Sequence, residues 1–284
     1  MRIAAAPISW GVCEVPGWGH QLDPERVLGE MAELGLTATE LGPDGFLPPD
    51  PARRAALLGR YGLRAVGGFV PVVLHDPAHD PLPGLRDALT SFDEETVVVL
   101  AAATGVDGYD ARPLLDAQGW RTLLGNLAEI RRRTAHLTVL HPHVGTMVET
   151  GDEVNRVLDG CDIPLCLDTG HLLIGGTDPA ELVSRAAGRI AHVHLKDVDA
   201  TLAERVRAGG PTYTEAVRAG VYRPLGIGDV DVAGLVTALD AAGYSGWYVM
   251  EQDVVLDSEP PAGEGPLGDV RASLAFLESI GSLP

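Results

Sequence analysis
The chain has 284 residues, 45% of them hydrophobic and 21% charged, and its 21 Lys+Arg against 40 Asp+Glu give a net charge of −19. That composition excludes a disordered, collagen-like or coiled-coil chain, and the acidic balance argues against nucleic acid and anionic membranes as partners. No run of 18 apolar residues reads as a membrane span, and the N-terminal MRIAAAPISWG runs into strand-like sequence instead of a secretory apolar region, so a cytoplasmic protein is expected.

Strand-like runs are predicted at residues 2–10, 38–42, 64–74, 96–103, 137–143, 163–171, 190–198 and 246–253. Amphipathic helical patterns lie between them. Trp120, Leu123, Leu124 and Leu127 recur at i, i+3, i+4 and i+7, as do Val154, Val157, Leu158 and Cys161, then Val232, Leu235, Val236 and Leu239. Asp23-Pro24 and Asp178-Pro179 have the form of a helix N-cap followed by proline. Gly35, Gly62 and Gly243 sit where helices should stop.

Eight strands alternating with helices, the last near 269–280, predict a single (β/α)8 TIM barrel over residues 1–284. The rival is an open doubly wound sheet, weakened because no GxGxxG follows the first strand. The spacing is even except for an extended loop after strand seven (198–232) and a Pro/Gly-rich stretch at 253–268. Long loops in a compact domain often frame binding sites. Cys13, Cys161 and Cys166 show no CxxC spacing and read as reduced thiols.

Barrel chemistry sits where strands end and βα loops begin. Strand one ends at Ser9-Trp10 and strand two at Thr39-Glu40. Strand five ends at His141-Pro142-His143 with Glu149 further on, and strand six at Asp168-Thr169-Gly170-His171. Strand seven reads His192-Val193-His194-Leu195-Lys196-Asp197, and strand eight ends at Glu251-Gln252-Asp253. Residues i and i+2 of a strand share a face, so His194 and Lys196 should reach the mouth together. Carboxylates and imidazoles in one pocket suit a divalent ion such as Mn²⁺, Co²⁺, Mg²⁺ or Zn²⁺. Asp168 and Glu251, set in apolar runs with His194 between them in strand order, are the donors expected to share it. His192 and His75 read as core histidines, and Glu14 as a surface residue. Trp10 is either core or a sugar-stacking face.

Every positive side chain is arginine except Lys196. Arginine-rich codon usage explains the missing lysines, but not the one that remains. Arginine cannot replace a lysine acting as a compact, titratable donor. A partly buried Lys196 beside a metal should have a lowered pKa and shuttle protons.

The runs PISWG, TELGP, HPHVGTMVET, LCLDTGH, HVHLKDV, PLGIGDVD and GYSGWYVMEQD resemble the xylose-isomerase-like TIM-barrel superfamily of sugar isomerases and epimerases, and within it the inosose (2-keto-myo-inositol) dehydratases. The resemblance spans nearly the whole chain. It implies one divalent metal held by Glu, Asp, His and Glu from strands five to eight. Here these are Glu149, Asp168, His194 and Glu251, with His141 or His143 as substitutes for Glu149. His171 matches a substrate-contacting histidine. The superfamily also contains apurinic endonucleases, against which the net charge argues.

The implied activity is proton abstraction beside the carbonyl of a keto-sugar or keto-polyol, ending in dehydration of an inosose-like ring. Mn²⁺ or Co²⁺ comes first as cofactor, with Mg²⁺ or Zn²⁺ compatible. Glu251 or Glu149 would be the base, with Lys196 or a histidine as rival. His171, His143 or Lys196 would be the acid, and Glu40 and Trp10 would position the ring. The alternatives are a sugar isomerase or 3-epimerase, a lyase of 3-keto-glycosides, and a sugar-binding barrel without catalysis. The acidic 253–268 loop disfavours a phosphorylated substrate, while Arg205, Arg207, Arg218 and Arg223 keep one open. The expected partner is a small keto-sugar or polyol, in a monomer or a homo-oligomer.

Overall fold
A computed structural model describes residues 1–281. Eight strands close into one parallel barrel: β1 (Arg2–Ala5), β2 (Ala38–Glu40), β3 (Arg64–Val73), β4 (Val97–Ala103), β5 (Thr138–Leu140), β6 (Leu165–Asp168), β7 (Ile190–Leu195) and β10 (Trp247–Met250). Between β7 and β10 a separate two-stranded sheet forms from β8 (Asp197–Val198) and β9 (Tyr222–Arg223). β1 pairs with both β2 and β10, which closes the cylinder. The (β/α)8 reading therefore holds, and the final helix spans Pro266–Gly281. Among the described residues no helix is long and apolar enough to cross a membrane.

Several strands end earlier than their apolar runs, each for a local reason. The first stops at Ala5, because Pro7 opens a 3-10 turn over Pro7–Trp10 that Gly11 ends at φ 79°. The sixth stops at Asp168, which caps the helix Thr169–Ile174. The seventh is interrupted at Lys196, between β7 and β8. The last two of these breaks place Asp168 and Lys196 at the barrel mouth.

The strands divide their side chains between two cores. Val98, Leu100, Leu140, Leu165, Leu167, Val193 and Leu195 pack with helix residues such as Leu123, Leu127, Val154, Val157 and Leu239. The alternate positions face inward. There Ala4, Ala38, Val66 and Val249 form one small cluster, and Val97, Val99, Val139 and Cys166 another. Small inward residues keep the lumen narrow at its base, so the polar inward positions above them meet near the axis.

The expected extended loop after strand seven is instead a built excursion. It holds helices Ala200–Arg207 and Tyr213–Arg218 and strand β9. Its own apolar cluster includes Val198, Ala203, Tyr213, Ala216, Val217, Val221 and Tyr222, together with Trp18 and Val144 from the barrel mouth. Asp197, fully buried, organises its exit. Oδ2 accepts from the backbone N–H of Gly226 and Gly228 at 2.8 and 3.0 Å, and Oδ1 from Val198 and Val230, both at 2.9 Å. The 253–265 stretch is likewise tied down. Trp18 Nε1 donates to Val254 O at 2.9 Å, and Arg26 donates to Pro260 O at 2.6 Å and Pro261 O at 2.9 Å.

An amide in place of the Asp197 carboxylate keeps the shape but offers one acceptor oxygen instead of two. Asp197→Asn is expected to cost about 3 kcal/mol of stability and to open residues 199–231 to proteolysis. A chemical denaturation midpoint and a limited-digestion map check both.

Candidate active site
Asp168 is oriented by the helix it begins. Its Oδ1 accepts from Gly170 N at 2.9 Å and His171 N at 2.8 Å, so Oδ2 is left facing the barrel axis. There it lies 3.2 Å from His141 Nε2, 3.6 Å from His194 Nδ1 and 3.6 Å from Lys196 Nζ. His194, on β7, is held by Glu40 of β2. Glu40 Oε1 accepts from His192 Nε2 at 2.7 Å and from His194 Nε2 at 3.0 Å. Glycine at position 67 makes this possible, since a Cβ there would sit 2.4 Å from that oxygen. Burial opposes ionisation of Glu40, but the His194 charge and the two imidazole hydrogen bonds outweigh it and hold the carboxyl well below its usual range.

With Nε2 taken by Glu40, His194 turns Nδ1 toward the mouth. That atom is buried, has no hydrogen-bond partner, and lies 3.2 Å from Glu251 Oε2. One donor atom each from Asp168, His194 and Glu251 falls within 4.8 Å of the others, all three residues buried. His141 joins the same centre through Asp168, and its Nδ1 also lacks a partner. Burial works against a charged His194, but Cys166, Glu251 and Glu40 outweigh it and hold its pKa well above the ordinary value. Burial pushes the Cys166 thiol up to about 11, so near neutral pH Glu251 and Glu40 are the charges that act. A donor set that draws a proton onto a buried imidazole equally suits a divalent cation. An unpartnered nitrogen between two carboxylates fits such an ion.

Glu149 is not part of this centre. It lies beyond the tight turn after His143, just before the helix Gly151–Gly160. There it pairs with Arg112 Nε at 3.0 Å and accepts from Gly145 N at 2.7 Å. Arg112 also holds Glu153 at 2.7 Å, so the three residues form an ion-pair cluster beside the mouth. The strand-five side chain that meets Asp168 is His141, at 3.2 Å. Trp10 is corrected as well: it is 0% exposed, and its Nε1 donates to Glu30 Oε2 at 2.8 Å in the main core. Trp18 lines the cavity in its place. His192 is the satisfied core histidine that the sequence suggests.

Lys196 is buried. Burial works against the charge, and Asp168, Asp253 and Glu251 outweigh it, holding the ammonium well above its ordinary range. Its Nζ lies 2.6 Å from Asp253 Oδ1, 3.0 Å from Glu251 Oε2 and 3.0 Å from His171 Nε2. His171 and His143 stack with ring centroids 3.6 Å apart. Burial, followed by each other's charge or neighbouring imidazoles and Lys196, pushes both well below the usual histidine value. His143 Nδ1 lies 2.7 Å from the Val144 carbonyl, which can only accept, so the Nε2 lone pair is free.

The cavity above these residues has a volume of about 190 Å³. His141, His143, His194, Lys196 and Glu251 form its floor with Glu40, and Trp18, Phe69, Phe92 and Tyr109 its walls. Sequence reading missed Asp253, Tyr109 and Trp18. Asp253 stands two residues after Glu251 in the predicted strand 246–253, and that i, i+2 spacing was the available signal. Glu14, read as a surface residue, lines the rim and accepts a hydrogen bond from the Tyr109 hydroxyl. Among the described residues Lys196 is the only lysine or arginine of the lining. Arg205, Arg207, Arg218 and Arg223 are absent from it, and Arg207 and Arg223 are engaged with Leu173 O and Asp199.

Comparison with known proteins agrees with this architecture. A family model described as xylose isomerase-like TIM barrel matches residues 28–280. An inosose dehydratase of Geobacillus kaustophilus is 33% identical over 98% of this chain and 94% of its own length. The rhizopine catabolism protein MocC of Rhizobium meliloti is 33% identical over 89% of this chain and 82% of its own. The solved L-ribulose 3-epimerase superposes with a TM-score of 0.67 at 17% identity, covering 98% of this chain and 94% of that one.

Two substitutions separate the centre from its surroundings. His141→Ala is expected to weaken Mn²⁺ binding about 10- to 100-fold, while Glu149→Gln leaves it within about twofold, as read by isothermal titration. Trp10→Phe strands a Glu30 oxygen in the core and is expected to cost about 1–3 kcal/mol with KM unchanged, measured by denaturation and steady-state kinetics.

Proposed function
The chain belongs to the xylose isomerase-like TIM-barrel family, and from that membership and the donor set at the barrel mouth we propose that it is a divalent-metal-dependent dehydratase of a neutral keto-polyol, an inosose-like ring. The observation that carries the metal is the unpartnered Nδ1 of His194 between Asp168 and Glu251. Asp168, His194 and Glu251 hold the ion, with His141 as the fourth donor. Glu40 fixes the His194 ring so that Nδ1 presents its lone pair. A bound divalent ion would polarise the substrate carbonyl and stabilise the negative charge that develops on its oxygen.

The chain's own groups move the protons. His143 lines the cavity, its Nδ1 is taken by the Val144 carbonyl, and its Nε2 lone pair removes the proton beside the carbonyl. Glu251 is less suited, because Lys196 already holds its Oε2 at 3.0 Å. Lys196, paired with Asp253 at 2.6 Å and Glu251 at 3.0 Å, is better placed as the acid. It gives a proton to the leaving hydroxyl on the next carbon. The C–H electron pair becomes the new C=C bond, the C–O bond breaks, and water departs.

Substrate class follows from size and charge. A cavity of about 190 Å³ is small beside the roughly 300–1,000 Å³ of sites for drug-sized ligands, which suits one ring. Its lining carries Glu14, Glu40, Asp44, Glu251 and Asp253 against a single lysine that is already paired. A carboxylated or phosphorylated substrate would meet like charge there, and a neutral polyol would find hydrogen-bond acceptors. The aromatic walls give apolar faces for the C–H side of the ring.

Inososes incubated with the Mn²⁺ or Co²⁺ protein in D₂O and followed by proton NMR should lose water. EDTA should abolish turnover, either ion should restore it, and Glu251→Gln should lower kcat by at least about 10²–10³-fold. Full activity in metal-free protein would refute the metal's part. Deuterium uptake without loss of water would make the enzyme an epimerase or isomerase.

A further inference from the structure
Five buried side chains from four parts of the fold close a ring of hydrogen bonds behind the cavity. Lys196 Nζ donates to Asp253 Oδ1 at 2.6 Å, and Tyr213 Oη donates to Asp253 Oδ2 at 2.6 Å. Tyr213 Oη and Tyr222 Oη are 3.0 Å apart, Tyr222 Oη and His171 Nδ1 are 3.4 Å apart, and His171 Nε2 returns to Lys196 Nζ at 3.0 Å. The chemistry of the end groups sets the directions at Lys196, Asp253 and the two tyrosines. An ammonium only donates and a carboxylate only accepts. His171 accepts at Nε2, and its Nδ1 lies 3.4 Å from both the Tyr222 oxygen and the Val144 backbone nitrogen. Tyr222 in turn donates to Tyr213, and Tyr213 to Asp253.

Lys196 and Asp253 line the cavity, whereas Tyr213 and Tyr222 do not. Both tyrosines come from the excursion after β7, Tyr213 beginning the helix Tyr213–Arg218 and Tyr222 on β9. The ammonium also stands 5.2 Å from the centre of the Tyr222 ring, within range of a cation–π contact. The approach is close enough to require glycine at position 170, where a Cβ would lie 2.6 Å from Lys196 Cβ and 2.9 Å from the Tyr222 ring. Without Asp253 on its far side, the ammonium would be left with Glu251 at 3.0 Å and Asp168 at 3.6 Å, the same oxygens that face His194.

We propose that Tyr213 and Tyr222 are positioning residues which, through Asp253 and His171, fix the direction of the Lys196 ammonium at the cavity wall. The consequence for catalysis rests on the reading of Lys196 as proton donor to the leaving hydroxyl, but the ring itself does not.

Lys196 is the only lysine of the chain, so protein labelled with ¹⁵N-lysine gives one side-chain ammonium signal. With the diamagnetic ion Mg²⁺ present, the full-length protein should show a sharp, slowly exchanging Nζ correlation. Tyr213→Phe and Tyr222→Phe keep the aromatic packing and should each shift that signal and speed its exchange at least about tenfold. Tyr248→Phe, which removes a hydroxyl bonded to Asp240 at 2.8 Å outside the barrel, should leave it unchanged. A signal unaffected by either ring variant, or moved equally by Tyr248→Phe, overturns the proposal whatever the substrate proves to be. Where wild-type protein dehydrates an inosose, both ring variants should lower kcat for water loss about tenfold with KM within about twofold, while deuterium exchange beside the carbonyl persists. Parallel loss of exchange and dehydration overturns the positioning role.

Discussion

Four carboxylates, those of Glu40, Asp168, Glu251 and Asp253, are buried together at one end of the barrel, and buried negative charge is costly unless something positive or hydrogen-bonding meets it. The arrangement of the mouth follows from that demand. Glu40 is met by two imidazoles, Asp253 by an ammonium and a phenol, and Asp168 by the two N–H groups of the helix it caps. What remains is one oxygen of Asp168, one of Glu251 and the inward nitrogen of His194, still richer in lone pairs than in protons. A cation is the natural completion of that set.

The rest of the fold keeps these groups in place. Strands β6 and β7 run side by side with Asp168 opposite His194 in register, so two donors are set by a ladder and not by a loop. β10 brings Glu251 alongside β7, where its N–H donates to Leu195 O at 3.0 Å. Sites on rigid strands are positioned more tightly than sites on loops. The long connections serve as walls. The excursion after β7 is anchored by Asp197, and the 253–265 stretch by Trp18 and Arg26, so both sides of the cavity are bonded to the barrel beneath them.

Much of this was legible before any coordinates. Period-two alternation put His192, His194 and Lys196 on one face, and Asp168 and Glu251 stood out as carboxylates inside apolar runs. Both signals are local, and both survive folding because a barrel strand must point alternate residues inward. Glu149 shows where local reasoning stops. It lies only eight residues after His141, yet the turn after His143 carries it out to Arg112. Trp10 and Trp18 were indistinguishable as aromatics near the first strand's end. A 3-10 turn buries the first under Glu30, and a hydrogen bond to Val254 swings the second over the cavity.

The sequence by itself determined the barrel and the meeting of Asp168, His194 and Glu251 at one end of it, because strand periodicity and the cost of burying charge are written residue by residue. Only the tertiary structure decided which strand-five group meets Asp168, that Lys196 pairs with Asp253 and Glu251, and that Tyr213 and Tyr222 stand behind it. Those facts depend on contacts between segments up to 57 residues apart, such as Lys196 with Asp253, and no local pattern specifies the angle at which such segments meet.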